Sequence, residues 1–234
     1  MRVRLAGPIR AVIFDLDGTL LDSAADLSCA ANQTLAELGL PQRDARLIAT
    51  FIGKGISRLL ERSLAGRIDG TADPQLLALA LPIFERHYER ESGRQTAVYP
   101  GVVEGLEALK RAAMPLACVT NKSSRPAAAL LEKMGLGSYF DVVVGGDSLE
   151  RRKPDPLPFT YACARLGVAP AQALVVGDSE NDVAGARAAG CPVVCVPYGY
   201  NEGRPIESAG CDGVVASVFE AAMLVCPRAS GQIP

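Results

Sequence analysis

Residues 11–21 read AVIFDLDGTLL, an apolar run that stops abruptly at two acids, Asp15 and Asp17, followed by Gly18 and Thr19. Val12, Ile13 and Phe14 suit a strand buried on both faces, as in a parallel sheet covered by helices on either side. Open α/β sheets hold their ligands beyond the carboxyl ends of the strands, which is where these acids fall. Two carboxylates this close repel each other and are relieved by a cation or a shared proton. A strand followed by an acidic turn would account for the same letters, since Asp-Gly is a common turn signal. What separates the two readings is whether later strands also end in polar residues.

Beyond this stretch, Asp22 or Ser23 can cap a helix over AADLSCAANQTLAELG, closed by Gly39 and followed by Pro41. From there to about residue 99 the pattern is helical, with candidates at 43–50, 55–65 and 74–92, the last bent or restarted at Pro82. At VYPGV (98–102) strands and helices begin to alternate. Strands are predicted at 114–120, 140–146, 173–178, 191–197 and 213–216, and helices at 123–135, 155–167, 180–190 and 217–226. This alternation predicts an α/β fold: a doubly wound parallel-sheet (Rossmann-like) core with an inserted small α-helical cap. The core would comprise 1–21 and 98–234, and the cap 22–97. Pro100-Gly101 and the segment near Asp22 are the expected hinges, and the tail PRASGQIP is expected to fray.

The 234 residues are 49% hydrophobic and 21% charged, an ordinary globular composition without a disorder signature. Twenty-four basic against 26 acidic side chains leave a charge of −2, so no bulk field draws the molecule to nucleic acid or to an anionic membrane. The opening MRVRLAGPIR has no apolar segment of signal-peptide type, and the longest uncharged apolar stretch, 76–84, is too short to span a bilayer. Seven cysteines, an odd number with no CxxC, read as reduced thiols of a cytoplasmic protein. The single histidine, His87, lies in the charged run ERHYERE with no partner for a metal or a catalytic triad.

The later strands do end in polar residues. The second gives Thr120, Asn121 and Lys122; the third is followed by GGDSLERRKPDP with Lys153; the fourth gives Gly177, Asp178 and Ser179, with Asp182 one turn further. In a parallel sheet these ends converge on one rim. Four carboxylates, hydroxyls and a lysine on that rim suit phosphoryl transfer onto a carboxylate: a nucleophile, a place for a cation, and positive charge against the phosphate oxygens. Receiver-type phospho-acceptor modules also cluster acids, a threonine and a lysine at strand ends. The helical insert and the second acid, Asp17, speak against that alternative.

This set of motifs, in this order, resembles the haloacid dehalogenase-like hydrolase superfamily over nearly the whole chain. The resemblance implies that Asp15 is the nucleophile and Asp17 the general acid/base. It implies that Mg2+ is held by Asp15, Asp178 and the backbone carbonyl of Asp17, and the phosphoryl group by Thr120, Asn121 and Lys153, with Thr19 also on the substrate side. Asp182 would brace the metal or Lys153 from behind. It also implies an ester-cleaving activity, because the dehalogenating members lack an acid at the position of Asp17, whereas a poor alkoxide leaving group needs a proton.

The helical insert resembles the small cap of that superfamily, and its candidate substrate loop is FIGKGISRLL, 51–60. From the residues alone, Lys54 between Gly53 and Gly55 is either a solvated lysine in a helix-to-helix turn or a contact for a substrate carboxylate. VYPGV, VTNKS, VVGGDSLERRKPDPLP and YGYN, taken with this loop, look like members that hydrolyse 2-phosphoglycolate to glycolate and phosphate. That would place Lys54 on the glycolate carboxylate. β-Phosphoglucomutase-like and pyrophosphatase-like relatives share the core motifs and differ in the cap. The expected partner is thus a small phosphorylated carboxylate, with no nucleic acid and no membrane, the chain acting as a monomer or homodimer.

Overall fold

The computed structural model describes residues 7–226. Most of the N-terminal stretch discussed above and the whole of the tail PRASGQIP therefore lie outside the described residues. Six strands form one sheet in which every pairing is parallel: β1 (Ala11–Phe14), β4 (Leu116–Val119), β5 (Val142–Val144), β6 (Ala173–Gly177), β7 (Val193–Cys195) and β8 (Gly213–Val214). Their order is β5-β4-β1-β6-β7-β8. The chain lays strands outward from β1 on one side, then returns to lay the rest on the other. The reversal falls between β1 and β6, where doubly wound sheets open their ligand crevice.

β1 is central and no more than 1% exposed at any residue, because its alternating side chains enter two different layers. Val12 and Phe14 pack with Leu106, Leu130 and Ala222 beneath α5 (Val102–Arg111), α6 (Ser124–Lys133) and α9 (Val218–Val225). Ala11 and Ile13 pack with Phe159, Val183 and Ala186 of α7 (Leu157–Leu166) and α8 (Glu180–Ala189). The doubly wound architecture read from the sequence is the one observed. One core helix was not read: α5 carries Gly105 at its centre, and its periodicity is hidden in a segment assigned only as a change of pattern.

Between β1 and α5 the chain forms α1 (Ala24–Glu37), α2 (Ala45–Ala49), α3 (Ile56–Ala65) and α4 (Pro74–Glu91). These four helices have their own buried cluster, including Leu27, Leu35, Phe51, Leu60 and Phe84. α4 runs unbroken with Pro82 inside it, where the sequence predicts a bend or a restart. A two-stranded antiparallel ribbon pairs β2 (Leu21–Asp22), at the expected hinge, with β3 (Ala97–Val98), where only helical periodicity was expected. Two residues per strand are too few to show an alternation. Beside it the buried Asp26 carboxylate accepts from the backbone N–H groups of Gly93, Gln95 and Thr96 and from the Thr96 hydroxyl, which ties the returning chain to the start of α1. The seven cysteines are all free, four buried and three half-buried.

Candidate active site

Paired residues Phe14 and Val176 place the ends of β1 and β6 side by side, so Asp15 and Asp178 leave the sheet as neighbours. Asp15 Oδ1 accepts from the Leu16 N–H at 2.7 Å and faces Lys153 Nζ at 2.8 Å, while Oδ2 has no hydrogen bond among the described residues. Asp178 Oδ1 accepts from the Thr19 hydroxyl at 2.6 Å and Oδ2 from the Tyr200 N–H at 2.6 Å. Gly18 lies so close that a Cβ there would come within 2.3 Å of Asp178 Oδ2, and its φ of +96° is one that side-chain-bearing residues avoid. The glycine of the DLDGT motif thus lets the loop after β1 close on the acid after β6.

Asp182, in the first turn of α8, accepts from the Ser179 N–H and hydroxyl through Oδ2 and from Lys153 Nζ through Oδ1 at 2.7 Å. It holds the lysine that faces Asp15. Asp15, Asp178 and Asp182 each bring a carboxylate oxygen within 4.8 Å of the other two. Burial first, and then the Asp182 charge, push Asp15 from its ordinary 3.8 up to about 7 despite Lys153. Burial and the charges of Asp15 and Asp182 also raise Asp178 well above the carboxylate range. Burial alone would lower Lys153, but the two carboxylates outweigh it and hold the ammonium charged. One lysine does not balance three buried acids, and an oxygen-ligated divalent cation would. Asp182 already pairs with the Lys153 charge, whereas Asp178 accepts only from neutral donors, so the donor set fits Mg2+ with Asp15 and Asp178 as its carboxylates.

Several expected side chains point elsewhere. Thr19 was expected on the substrate side, but it is fully buried and spends its hydroxyl proton on Asp178. The Asp17 carboxylate is outside the acidic cluster: both oxygens take Lys122 Nζ, at 3.0 and 2.9 Å, and Oδ1 also accepts from the Ser23 hydroxyl at 2.6 Å. Only its backbone is left for the expected metal role. Ser23 is therefore not the side-chain cap of α1 that the sequence suggests.

A cavity of about 30 Å3 lies between this rim and the helices, bounded by Asp15, Asp17, Thr120, Asn121 and Lys122 below and by Ile52, Gly53, Gly55, Ile56 and Leu59 above. Asn121 Nδ2 donates to Gly53 O and to Lys153 O, tying the loop before α3 to the rim, and its Oδ1 is buried without a partner among the described residues. Gly53 and Gly55 take φ of +110° and +82° in this turn. Lys54 between them is not on the cavity wall. Its Nζ lies 2.7 Å from Glu202, which also receives buried Arg62 at 2.6 Å. The sequence reading assigned no active-site role to Lys122, Ser23, Arg62, Tyr200 or Glu202. Lys122 carried a visible signal in its place at a strand end, and Tyr200 in the YGYN run.

These features define a doubly wound α/β enzyme with a carboxylate-rich site at the switch point of its sheet. The profile of the haloacid dehalogenase-like hydrolases matches residues 12–196. A phosphoglycolate phosphatase of Thiobacillus denitrificans is 50% identical over 218 residues, 93% of this chain and 96% of that protein. One of Nitrosospira multiformis is 51% identical with the same coverage. A crystal structure from Haemophilus somnus, described as a predicted phosphoglycolate phosphatase, superposes with a TM-score of 0.87 at 34% identity, covering 94% of this chain and 99% of that one. The chain belongs to the haloacid dehalogenase-like hydrolase family.

Proposed function

We propose that this protein is a cytoplasmic, Mg2+-dependent phosphatase that hydrolyses 2-phosphoglycolate to glycolate and inorganic phosphate, with residues 22–97 acting as a cap over the core. The observation that carries the reading is the pairing of Asp15 with Lys153 at 2.8 Å beside Asp178, in a chain half identical to proteins named for that activity. Oδ1 of Asp15 is held by the Leu16 N–H and Lys153, which leaves Oδ2 to attack phosphorus. The ester P–O bond breaks as Asp17 gives its proton to the leaving alkoxide. Asp17 then takes a proton from water, whose oxygen displaces Asp15 from phosphorus and releases phosphate. Thr120, Asn121 and Lys153 hold the transferring oxygens. Mg2+, held by Asp15, Asp178 and the Asp17 carbonyl, would supply charge neutralisation to a phosphate approaching buried acids.

The wall facing Asp15 supports a small substrate. Leu27, Ile52, Ile56 and Leu59 offer no hydrogen bonds to the hydroxyls of a hexose, as a mutase would require. Phosphate release from a panel of small phosphomonoesters tests the substrate, with 2-phosphoglycolate expected to give the highest kcat/KM; a hexose phosphate or pyrophosphate in first place would overturn it. Beryllium fluoride with Mg2+ should trap an adduct on Asp15, and an adduct on any other residue would overturn the mechanism.

A further inference from the structure

Among the described residues the cavity carries one cation on its wall, and that cation is Lys122. Its side chain is 4% exposed, with Nζ 3.0 and 2.9 Å from the two oxygens of Asp17. The ring of Tyr88, from α4, lies 4.9 Å from the same nitrogen, and the Tyr88 hydroxyl is buried with no hydrogen-bond partner among the described residues. Lys54 is elsewhere, with its side chain 38% exposed and its charge met by Glu202. A buried ion pair seldom stabilises a fold more than two apolar residues of the same size. Lys122 and Asp17 therefore call for an explanation beyond packing.

We infer that Lys122 receives the carboxylate of the leaving group, and that Asp17 holds its ammonium only until substrate arrives. The inference rests on the proposed function and assigns the subsite that reads the substrate's second anion. If Asp17 protonates the ester oxygen, that oxygen lies against Asp17. The carboxylate of 2-phosphoglycolate is one methylene further on, within reach of the ammonium that Asp17 now occupies. An anion enclosed by Ile52, Ile56 and Leu59 has to be paired, and among the described residues no other cation lines the wall. Moving Lys122 from Asp17 to the substrate also frees Asp17 to face the leaving oxygen.

The test compares 2-phosphoglycolate with ethyl phosphate, which has a methyl group in place of the carboxylate, in Mg2+. Both substrates depend on Asp17, so the ratio of their kcat/KM values isolates the carboxylate contact. Wild type should prefer 2-phosphoglycolate. Lys122→Met should lower that ratio by about 30-fold or more, mainly through KM. Lys122→Arg should retain part of it, and Lys54→Met should move both substrates together. Should the methionine variant not fold, Lys122→Arg carries the test, with ethyl phosphate turnover reporting its folding: a ratio several-fold below wild type is expected. A ratio unchanged in the Lys122 variants, or collapsed by Lys54→Met instead, overturns the assignment alone. A wild-type enzyme that does not prefer 2-phosphoglycolate overturns the proposed function, and this inference with it.

Discussion

Asp15 carries a cost that its neighbours make visible. Its carboxyl is raised to about 7 from an ordinary 3.8, so the proton it holds stabilises the metal-free fold. That contribution is complete below about pH 4 and is lost as pH rises through about 7. Metal-free protein should therefore melt at progressively lower temperature from about pH 5 to pH 8. Added Mg2+ should restore the loss most at the upper end, where the ligands are deprotonated. Thermal scans with and without Mg2+ check this, and a metal-free melting temperature flat over that range would contradict it. Asp15→Asn keeps an oxygen for Leu16 and Lys153 and puts an amide where Oδ2 was free. It should abolish turnover, by about 1,000-fold or more, while raising the metal-free melting temperature at pH 8. Equal melting of the two proteins would show that the buried charge is better compensated than its surroundings suggest.

The loop after β7 and helix α3 are joined by Glu202. It accepts Lys54 and Arg62 from the helical side through Oε1, and Arg204 of its own loop through Oε2. Burial alone would raise its carboxyl, but the hydrogen bonds from Lys54 and Arg62 outweigh it and bring the group down to about 2. The stability it contributes is thus present above its ordinary 4.5 and is lost as pH falls through about 2. Glu202→Gln leaves Arg62 buried without its counter-charge and should cost about 1–3 kcal/mol in urea unfolding at pH 7. A loss under 0.5 kcal/mol, which is within the range of ordinary surface substitutions, would reduce the clasp to a surface ion pair (about 0.5 kcal/mol). A second element-scale prediction concerns α5 and α9. A Cβ at Gly105 would come within 2.8 Å of Val218 O, so Gly105→Ala should cost about 1–3 kcal/mol by overpacking. Its kcat should match wild type, because the contact is remote from the rim; a lowered kcat with stability intact would reverse that reading.

At the scale of the molecule, the cavity over Asp15 is too small for its proposed substrate. About 30 Å3 is room on the order of one or two water molecules. Admission of a phosphate ester requires α3 and the loop before it to move off the rim. A groove of about 720 Å3 between α4 and α6 shares Ile56 with this cavity. Mg2+ with beryllium fluoride should then slow amide hydrogen exchange across residues 51–60 and at Ser23 and Ala24, whose N–H groups donate to the Tyr200 hydroxyl. Unchanged exchange there, with the adduct formed, would mean that the helices stay closed throughout.

Much of this was legible in one dimension. Ala11–Phe14 and Ala173–Gly177 read as buried strands because a strand covered on both faces is apolar at every position, and the acids that follow each mark the rim. Asp15, Asp178 and Asp182 follow strand ends closely, and the motif resemblance named them together with Lys153, which stands further out in the loop after β5. Elements whose stability comes from partners far along the chain were not readable. The ribbon of β2 and β3 has two residues on each side, and α5 is held by α9 across more than 100 positions. The same limit applies to side chains. The sequence determined which residue types gather at the switch point, since backbone periodicity and strand order follow from local pattern. Only the tertiary structure decided which of them meet: Thr19 with Asp178, Lys54 with Glu202, and Lys122 with Asp17. Those pairings join residues 105 or more positions apart and depend on distances of a few ångströms, which spacing along the chain does not encode.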